Sequence, residues 1–219
     1  MFTITIDGPS SSGKSTVAEL VAQKLGFHHL NSGNFYRVIT LYLLEKGYTS
    51  NDKITEDMLK DINIDVEFVG EKQHDFLNGK NVTDLLHNNN INANVSRFGK
   101  NDSIIIKASQ LTFQPTQKYN LVIDGRNVGS FVLPNAELKV YLDCDAKVRA
   151  TRRMNEMLQK GENVNFDDIL KQTIERDELD RTRPLAPLVV PKGAYVLDSS
   201  NLTAEQVADK IVEIYHKIK

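Results

Sequence analysis

The feature that most limits what this chain can fold into is a glycine-rich loop near its N-terminus. The loop reads Gly8-Pro9-Ser10-Ser11-Ser12-Gly13-Lys14-Ser15-Thr16; an apolar-alternating run at residues 2–6 precedes it, and apolar residues at helical spacing follow it. Glycines at this spacing, followed by Lys-Ser, let successive backbone N–H groups point at one anion, and the positive end of the next helix adds to the attraction. In such a loop Lys14 reaches the β- and γ-phosphates, and the Ser15 hydroxyl binds Mg²⁺. The sequence therefore predicts a unit that binds a nucleoside triphosphate; the alternative is a Ser/Gly-rich turn that matches the pattern by chance.

Length and composition favour one globular domain. The chain has 219 residues, of which 40% are hydrophobic and 26% charged, and its formal net charge is −2. A near-neutral chain has no general attraction to nucleic acid. The first apolar run ends at Asp7, and no apolar stretch reaches the roughly 18 residues of a membrane span, which argues against a leader peptide or a membrane anchor. The single cysteine, Cys144, cannot form an intrachain disulfide, so we expect a cytoplasmic protein without nucleic-acid or membrane partners.

Strand and helix patterns alternate along the chain, which predicts an α/β fold with a mainly parallel sheet. A short acidic helix is expected at 51–61, and Asn78-Gly79, a dipeptide typical of tight hairpin turns, indicates a small antiparallel insert at 62–83. The other strands are predicted at 27–30, 121–123, 138–142 and 194–197, and the other helices at 36–44, twice within 85–116, and at 146–159, 166–181 and 207–218.

Polar residues at the ends of predicted strands indicate how the phosphate loop is used. Asp124-Gly125-Arg126 follows a buried strand, and Arg37 lies shortly after the second strand. Ligands gather at the carboxyl edge of such sheets. The chain has no Asn-Lys-x-Asp motif for reading guanine and no glutamate beside Asp124 to activate water. These absences argue against a GTPase and against a hydrolytic ATPase.

An uneven distribution of arginine indicates a local anion site. Arginine binds phosphate oxygens bidentately and stays charged when water is excluded, which suits transfer between two phosphorylated substrates. For a single helical residue such as Arg149 or Arg181, a solvated surface charge is an equally good interpretation. Six of the nine arginines fall in one short span: Arg149, Arg152, Arg153, Arg176, Arg181 and Arg183.

Further sequence blocks follow one another in a fixed order. They are Ile6-Asp7-Gly8-Pro9, Ser32-Gly33 with Tyr36-Arg37, Asn81-Val82-Thr83-Asp84, Asp124-Gly125-Arg126-Asn127-Val128-Gly129, Val132-Leu133-Pro134, Arg152-Arg153, Val164-Asn165-Phe166, Glu175-Arg176-Asp177, Asp180-Arg181, Ala186-Pro187-Leu188 and Leu197-Asp198-Ser199. Together they run nearly from end to end, and they resemble the bacterial cytidylate kinases of the nucleoside monophosphate kinase family.

This resemblance implies a P-loop kinase fold in one domain, 1–219, that contains a monophosphate-binding insert at 62–98 and a helical lid at 150–166. It implies transfer of the γ-phosphate of ATP to CMP or dCMP with Mg²⁺ held by Ser15 and Asp124; we expect a monomer. The residues Gly8, Pro9, Ser10, Ser11, Ser12, Gly13, Lys14, Ser15 and Thr16 would bind ATP. The catalytic set would be Lys14, Asp124 and Arg126 with Arg152 and Arg153 from the lid. By matching position, Ser96 would face the base, Ser32, Tyr36, Arg37 and Arg126 the acceptor phosphate region, and Arg176, Asp180 and Arg183 the sugar and phosphates.

Three positions depart from the family pattern. Asn31 and Asn127 stand where the family has Asp, and Ile105 stands where an arginine of the nucleotide site is expected. An amide at Asn127 can accept a hydrogen bond from cytosine or donate one to uracil, so we expect weak discrimination between CMP and UMP if Asn127 binds the base; alternatively it only supports its loop. Two alternatives to a CMP kinase therefore stay open: a kinase for UMP or another small phosphorylated metabolite, and a non-catalytic nucleotide-binding protein.

Overall fold

The computed structural model describes residues 1–70 and 72–219; Glu71, within the insert expected at 62–98, lies outside the described residues. No helix in these two ranges is both long enough and apolar enough to cross a lipid bilayer. In chain order the strands are β1 (Thr3–Asp7), β2 (His28–Asn31), β3 (Ile64–Val69), β4 (Lys72–Leu77), β5 (Lys80–Asn81), β6 (Leu121–Gly125), β7 (Leu138–Asp143) and β8 (Tyr195–Asp198). The α-helices are α1 (Lys14–Leu25), α2 (Gly33–Glu45), α3 (Asn89–Phe98), α4 (Asp102–Phe113), α5 (Ala146–Gln159), α6 (Phe166–Thr182) and α7 (Ala204–Ile218).

Five strands form one parallel sheet in the order β2-β6-β1-β7-β8. β1 lies at the centre, in parallel register with β6 and β7, and every residue of β1 and β6 is buried. Parallel strands that are covered on both faces read as continuous apolar runs, which is why Leu121-Val122-Ile123 could be identified in the sequence. Since all five strands point the same way, Asp7, Asn31 and Asp124 lie at one edge of the sheet. The predicted α/β fold with a mainly parallel sheet is confirmed.

Helices cover both faces of this sheet, and each face has its own apolar cluster. Alternate residues of β6 serve the two sides: Val122 packs with α1 and α7, whereas Leu121 and Ile123 pack with α2 and α4. Ile211 of α7 is fully buried in the first cluster. Burying one such side chain contributes about 1.5–3 kcal/mol. The clusters therefore fix α1 behind the phosphate loop and α2 to α4 on the opposite face.

The predicted antiparallel insert is present as a three-stranded sheet in the order β3-β4-β5. Its tight turn is Asn78-Gly79, where both residues have positive φ, 51° and 80°. Type I′ hairpin turns require this backbone, and Asn-Gly adopts it readily. The small sheet is fastened to the large one by the Gln73 side-chain oxygen, which accepts the Asn31 N–H at 2.7 Å.

The acidic helix predicted at 51–61 is wrong. Only Asp57–Leu59 forms a short 3-10 turn there. The carboxylate of Asp52 accepts the backbone N–H and the hydroxyl of Thr49 at 2.6 and 2.8 Å. Such side-chain bonds to nearby backbone compete with helical hydrogen bonds. The segment thus forms turns, with Leu59 buried in the core.

Polar caps fix where the later helices begin. The side chain of Asn101 accepts the N–H groups of Ser103 and Ile104 at the start of α4, and Asp145 caps α5 in the same way. Asn165 caps α6. Such caps satisfy N–H groups that have no partner within the helix. The Asn165 cap places the start of α6 directly after the 160–165 loop, so α5 and α6 form a helical hairpin.

Candidate active site

The phosphate loop is built by backbone conformations that most residues avoid. Ser11 and Gly13 have φ of 56° and 90°, and α1 begins at Lys14 immediately afterwards. A Cβ at Gly8 would collide with the carbonyl oxygen of Leu142, so only glycine fits beside β7. Left-handed residues that alternate with residues of negative φ turn successive backbone N–H groups inward, which creates a concave anion site. The structure thus has the local geometry expected of the loop.

Lys14 is held inside this loop. Its ammonium donates to the Pro9 carbonyl at 2.5 Å and to the Ser12 hydroxyl at 3.3 Å. Burial, and then the positive charges of Arg126 and Arg176, lower the pKa of Lys14 well below its usual value, although Asp124 opposes them. The lysine therefore lies where several cations converge.

Asp124, at the end of β6, is held by both of its carboxylate oxygens. Oδ2 accepts the Ser15 hydroxyl at 2.7 Å, and Oδ1 lies 2.7 Å from Nε2 of His29. Burial acts to raise the pKa of Asp124, but the contacts with His29 and Ser15 and the charge of Lys14 outweigh it, so the net pKa is below the usual value. The carboxylate is consequently ready to act as an anion at neutral pH.

Ser15 and Asp124 fit the requirements of a magnesium site. Within 1–70 and 72–219 no group of three or more His, Cys, Asp and Glu side chains could form a protein cage for a metal ion. Mg²⁺ does not need such a cage, since it is commonly held by one or two carboxylates, water and substrate phosphates. A hydroxyl and an ionised carboxylate 2.7 Å apart beside the loop supply hard oxygen ligands of that kind.

Sequence reasoning missed His29 and Asp7. His29 lies two residues before Asn31, on the same face of β2 and next to Asp124, but this becomes visible only once the strand order is known.

Asp7 directly precedes Gly8 and is fully buried; its carboxylate accepts the N–H groups of Val128 and Gly129 at 2.8 and 2.7 Å. Burial raises the pKa of Asp7 to about 6 despite these bonds. Asp7 thereby fastens the loop strand to the segment that follows Arg126.

Four arginines, called the arginine cluster below, influence one another beside the loop: Arg37, Arg126, Arg153 and Arg176. Burial and the charges of the other three lower the pKa of Arg176 to about 10, although Asp180 opposes them. Burial, Arg126 and Arg153 also lower the pKa of Arg37. Ionisable groups that shift one another's pKa in this way are typical of functional sites.

Only part of the hydrogen-bonding capacity of these arginines is used. Arg126 Nε donates to Asp180 at 3.1 Å, and Arg37 Nη1 donates to the Leu86 carbonyl and to Asn92 at 3.0 and 2.7 Å. Among the described residues, Nε of Arg176 is buried without a hydrogen-bond partner.

Arg183 also has a buried donor to spare. Its Nη2 has no partner in the described ranges, whereas its Nε donates to the Ala186 carbonyl at 2.6 Å. Buried donors are nearly always paired. The unpaired N–H groups of Arg176 and Arg183 therefore indicate where a ligand would be bound.

Four residues expected at the base, the acceptor phosphate region or the nucleotide site lie on α2, α3 and α4 and in the segment after β6. Asn127 follows β6, is 4% exposed, and carries a buried Nδ2 that is unpaired among the described residues. Tyr36, on α2, has its pKa raised by burial, with Arg183 opposing the shift. Ser96 is partly buried on α3, one turn before Gly99, whose backbone approaches the Tyr36 ring. Ile105 is fully buried within α4.

Ser32 has its hydroxyl already engaged. It donates to the Asp124 carbonyl at 2.8 Å, and the Ser32 N–H donates to the same oxygen at 3.1 Å. These bonds join the start of α2 to the end of β6.

The predicted lid arginines have different surroundings. Arg152 donates to the Ser199 carbonyl at 2.7 Å and to the Ser12 carbonyl at 3.3 Å, so it braces the loop from behind. Arg153 is partly exposed, pairs with Glu156 at 3.3 Å, and belongs to the arginine cluster.

Arg149 and Arg181, for which a solvated surface charge was an equally good interpretation, differ in burial. Arg181 is exposed, as a surface charge would be. Arg149 is 3% exposed, so the surface interpretation is wrong for that residue.

Comparison with known proteins gives an end-to-end match. A family model described as Cytidylate kinase matches residues 4–217. The cytidylate kinase of Caldicellulosiruptor saccharolyticus is 37% identical over 217 residues, which cover 98% of this chain and 96% of that protein. The cytidylate kinase of Fusobacterium nucleatum subsp. nucleatum is 39% identical over 217 residues, covering 99% and 98%. Among solved structures, an uncharacterized protein from Eubacterium ventriosum has a TM-score of 0.54 at 12% identity and 99% coverage of both chains, a likeness of fold alone.

Proposed function

The chain belongs to the cytidylate kinase family and is thus an ATP-dependent phosphotransferase acting on CMP, and we propose that it transfers the γ-phosphoryl group of Mg²⁺-ATP to CMP or dCMP with the residues described above. The single observation that carries the assignment of roles is that buried N–H groups of Arg176 and Arg183, near an intact phosphate loop, have no hydrogen-bond partner among the described residues. Transfer between two phosphorylated molecules requires one anion site for the donor and another for the acceptor.

On the donor side, the loop from Gly8 to Thr16 binds the ATP phosphates through its backbone N–H groups. Lys14 leaves its contacts with Pro9 and Ser12 to reach the β- and γ-phosphates. Ser15 and Asp124 hold Mg²⁺, which when bound neutralises charge that develops on the phosphates. The N-terminus of α1 adds a favourable dipole.

On the acceptor side, Arg37, Arg126 and Arg176 bind the phosphate of the monophosphate. Arg183 joins them, and Asp180 faces the sugar while orienting Arg126. Ser32 and Tyr36 line the same region.

The reaction needs no general base, because an acceptor phosphate oxygen is already an anion at neutral pH. That oxygen forms the new bond to the γ-phosphorus as the bond to the β,γ-bridging oxygen breaks and ADP leaves with the electron pair. The protein contributes by alignment and by charge neutralisation, to which Arg153 adds when the lid closes.

Base recognition is assigned to Ser96 and Asn127. Asn127 suits this role because its amide is buried and its Nδ2 has no hydrogen-bond partner among the described residues. Ile105 cannot supply the hydrogen bonds of an arginine and lies in the core. The amide at Asn127 and the apolar side chain at Ile105 also make UMP a second candidate substrate, since an amide can turn its donor towards the uracil carbonyl.

Two segments are proposed to adjust to the substrates. Residues 62–98 form the monophosphate-binding insert, and 150–166 form a lid that excludes water when both nucleotides are present. A buried network supports the insert: Asp75 accepts hydrogen bonds from Asn34 at 2.7 Å and from Gln73 at 2.6 Å. The insert is thereby fixed to the start of α2, which carries Tyr36 and Arg37.

The cellular setting is also a proposal. We place the protein in the cytoplasm as a monomer without nucleic-acid or membrane partners. The near-neutral net charge of −2 and the buried free thiol of Cys144 support this.

A coupled assay for ADP release tests the proposal, with CMP, dCMP and UMP as acceptors in the presence of ATP and Mg²⁺. Turnover of CMP or dCMP that is lost on chelation of the metal is the expected result. Nucleotide binding without turnover of any acceptor would favour the non-catalytic alternative, and turnover of UMP alone would favour altered base preference.

A further inference from the structure

Arg149 connects three parts of the molecule that the proposed reaction must hold together. Its Nε donates to the Cys144 carbonyl at 2.9 Å, and Nη1 donates to the Ser10 carbonyl of the phosphate loop at 3.1 Å. The same guanidinium forms a two-pronged ion pair with Asp177 of α6, at 3.1 and 2.5 Å. One buried side chain thus touches the end of β7, the donor loop and α6.

Helix α6 also reaches the acceptor side. Asp180 lies three residues after Asp177, hence on the same face of the helix, and accepts a hydrogen bond from Arg126. Arg176, whose Nε has no hydrogen-bond partner in the described part of the chain, directly precedes Asp177. Consequently α6 is anchored to the donor loop through Asp177 and to the acceptor cluster through Asp180.

We propose that Arg149 and Asp177 are positioning residues that couple the ATP site to the CMP site, although neither lies among the groups assigned to a nucleotide. Filling the phosphate loop fixes the Ser10 carbonyl, the forked ion pair transmits that placement to α6, and α6 holds Arg176 and Asp180 ready for the acceptor. The proposal rests on the two-site function above.

The geometry of the Arg149–Asp177 ion pair supports a role in positioning α6 rather than a role in stability alone. A buried ion pair is a poor source of stability, because desolvation offsets much of the attraction, and apolar residues would often serve as well. The bidentate contact fixes the angle as well as the distance between α5, which carries Arg149, and α6, which carries Asp177. Networks of this kind can carry energetic coupling between sites.

The test measures CMP affinity by calorimetry with and without a non-hydrolysable ATP analogue and Mg²⁺. In the unmodified protein the analogue should tighten CMP binding at least about 5-fold. Arg149→Lys keeps the positive charge but loses the bidentate contact with Asp177. In this variant the analogue should tighten CMP binding less than about 2-fold, while CMP affinity without the analogue stays within about 3-fold of that of the unmodified protein. Its kcat should fall about 10- to 100-fold, because aligned groups are displaced.

Asp177→Asn provides a second variant of nearly identical shape, in case Arg149→Lys does not fold. The matched control is Ile211→Ala, a fully buried change that lowers thermal stability within the cluster of α1 and α7, which contains no residue of α5 or α6. The control should keep the coupling; if it loses the coupling too, or if either ion-pair variant keeps it, the proposal is overturned. Absence of CMP binding in the unmodified protein would instead contradict the proposed function.

Discussion

Nε2 of His29 lies 2.7 Å from Oδ1 of Asp124, on the opposite side of the carboxylate from the Ser15 hydroxyl. A carboxylate that is held at both oxygens cannot rotate freely, so the direction in which Asp124 offers its lone pairs is set by its neighbours. Groups that hold a metal ligand in this way contribute to metal affinity without touching the metal.

His29→Phe should therefore weaken metal-dependent nucleotide binding. We expect the Mg²⁺ concentration for half-maximal tightening of ADP binding to rise about 10-fold, with metal-free ADP binding within about 2-fold of the original. His28→Phe is the matched control, because His28 stacks on Phe68 at 4.6 Å. An equal loss in metal-free binding would show that His29 supports the loop rather than Asp124.

Lys14→Ala should remove the cation that we assign to the transferring phosphate. We expect kcat to fall about 100- to 1,000-fold, the scale seen when one transition-state contact is lost. Lys24→Ala, which removes a lysine of the same helix that pairs with Glu205 and Asp209 at the surface, should leave the rate nearly unchanged. Thermal unfolding shows whether Lys14→Ala is folded, and a folded variant with normal kcat would contradict the assigned role.

Asn127→Asp should sharpen base preference. A carboxylate only accepts hydrogen bonds, which suits the cytosine amine and disfavours the uracil carbonyl. An unpaired polar contact costs about 1–3 kcal/mol, so the CMP-to-UMP ratio of kcat/KM should rise tenfold or more. Asn31→Asp makes the same chemical change at β2 and should leave the ratio unaltered. An unchanged ratio in Asn127→Asp would mean that Asn127 supports its loop.

The pKa of Asp7 predicts a pH effect on stability. Its pKa is raised from 3.8 to about 6 on folding, so its protonated form is favoured in the folded protein. The contribution of Asp7 to the free energy of unfolding is complete below about pH 4 and is lost as pH rises through about 6. The loss amounts to about 3 kcal/mol. Urea unfolding of the unmodified protein and Asp7→Asn should show the difference in unfolding free energy shifting in favour of Asp7→Asn between about pH 4 and pH 8. A difference independent of pH would contradict the prediction.

Closure of the proposed lid should be visible by hydrogen exchange. A bisubstrate analogue should increase protection across 152–166, most strongly in the 160–165 loop, because Arg152 is already tied to Ser12 and Ser199. Protection of α7, which packs on α1, serves as the internal reference. Unchanged exchange across 152–166 would mean that this segment is not the lid.

The parts of the structure that the sequence predicted are those dictated by local patterns. Asn78-Gly79 specified a hairpin turn through its own backbone preference, and the apolar run ending at Asp124 specified a buried parallel strand. The helix expected at 51–61 failed for an equally local reason, since Asp52 bonded to Thr49 in place of helical partners. Acidic residues made the segment resemble a helix, but their side chains were used in turns.

Long-range partners could not be predicted in this way. His29 meets Asp124 only because β2 lies beside β6, and Arg149 is buried only because α6 brings Asp177 to it. Neither relationship leaves a periodic signal in the sequence. An arginine on a polar helix reads as a surface charge until the packing of that helix is known.

The central position of β1 also sets the order in which the protein can assemble on the ribosome. β1 is synthesised first, yet both of its hydrogen-bonding neighbours belong to the second half of the chain, β6 and β7. Nascent chains grow at about 5–20 residues per second, so β1 waits roughly 5 to 25 seconds for its first partner. Only then do the N–H groups of Val128 and Gly129 reach Asp7. The loop that is made earliest is thus among the last parts to take its working shape, and a fragment truncated before residue 121 would have no sheet to hold it.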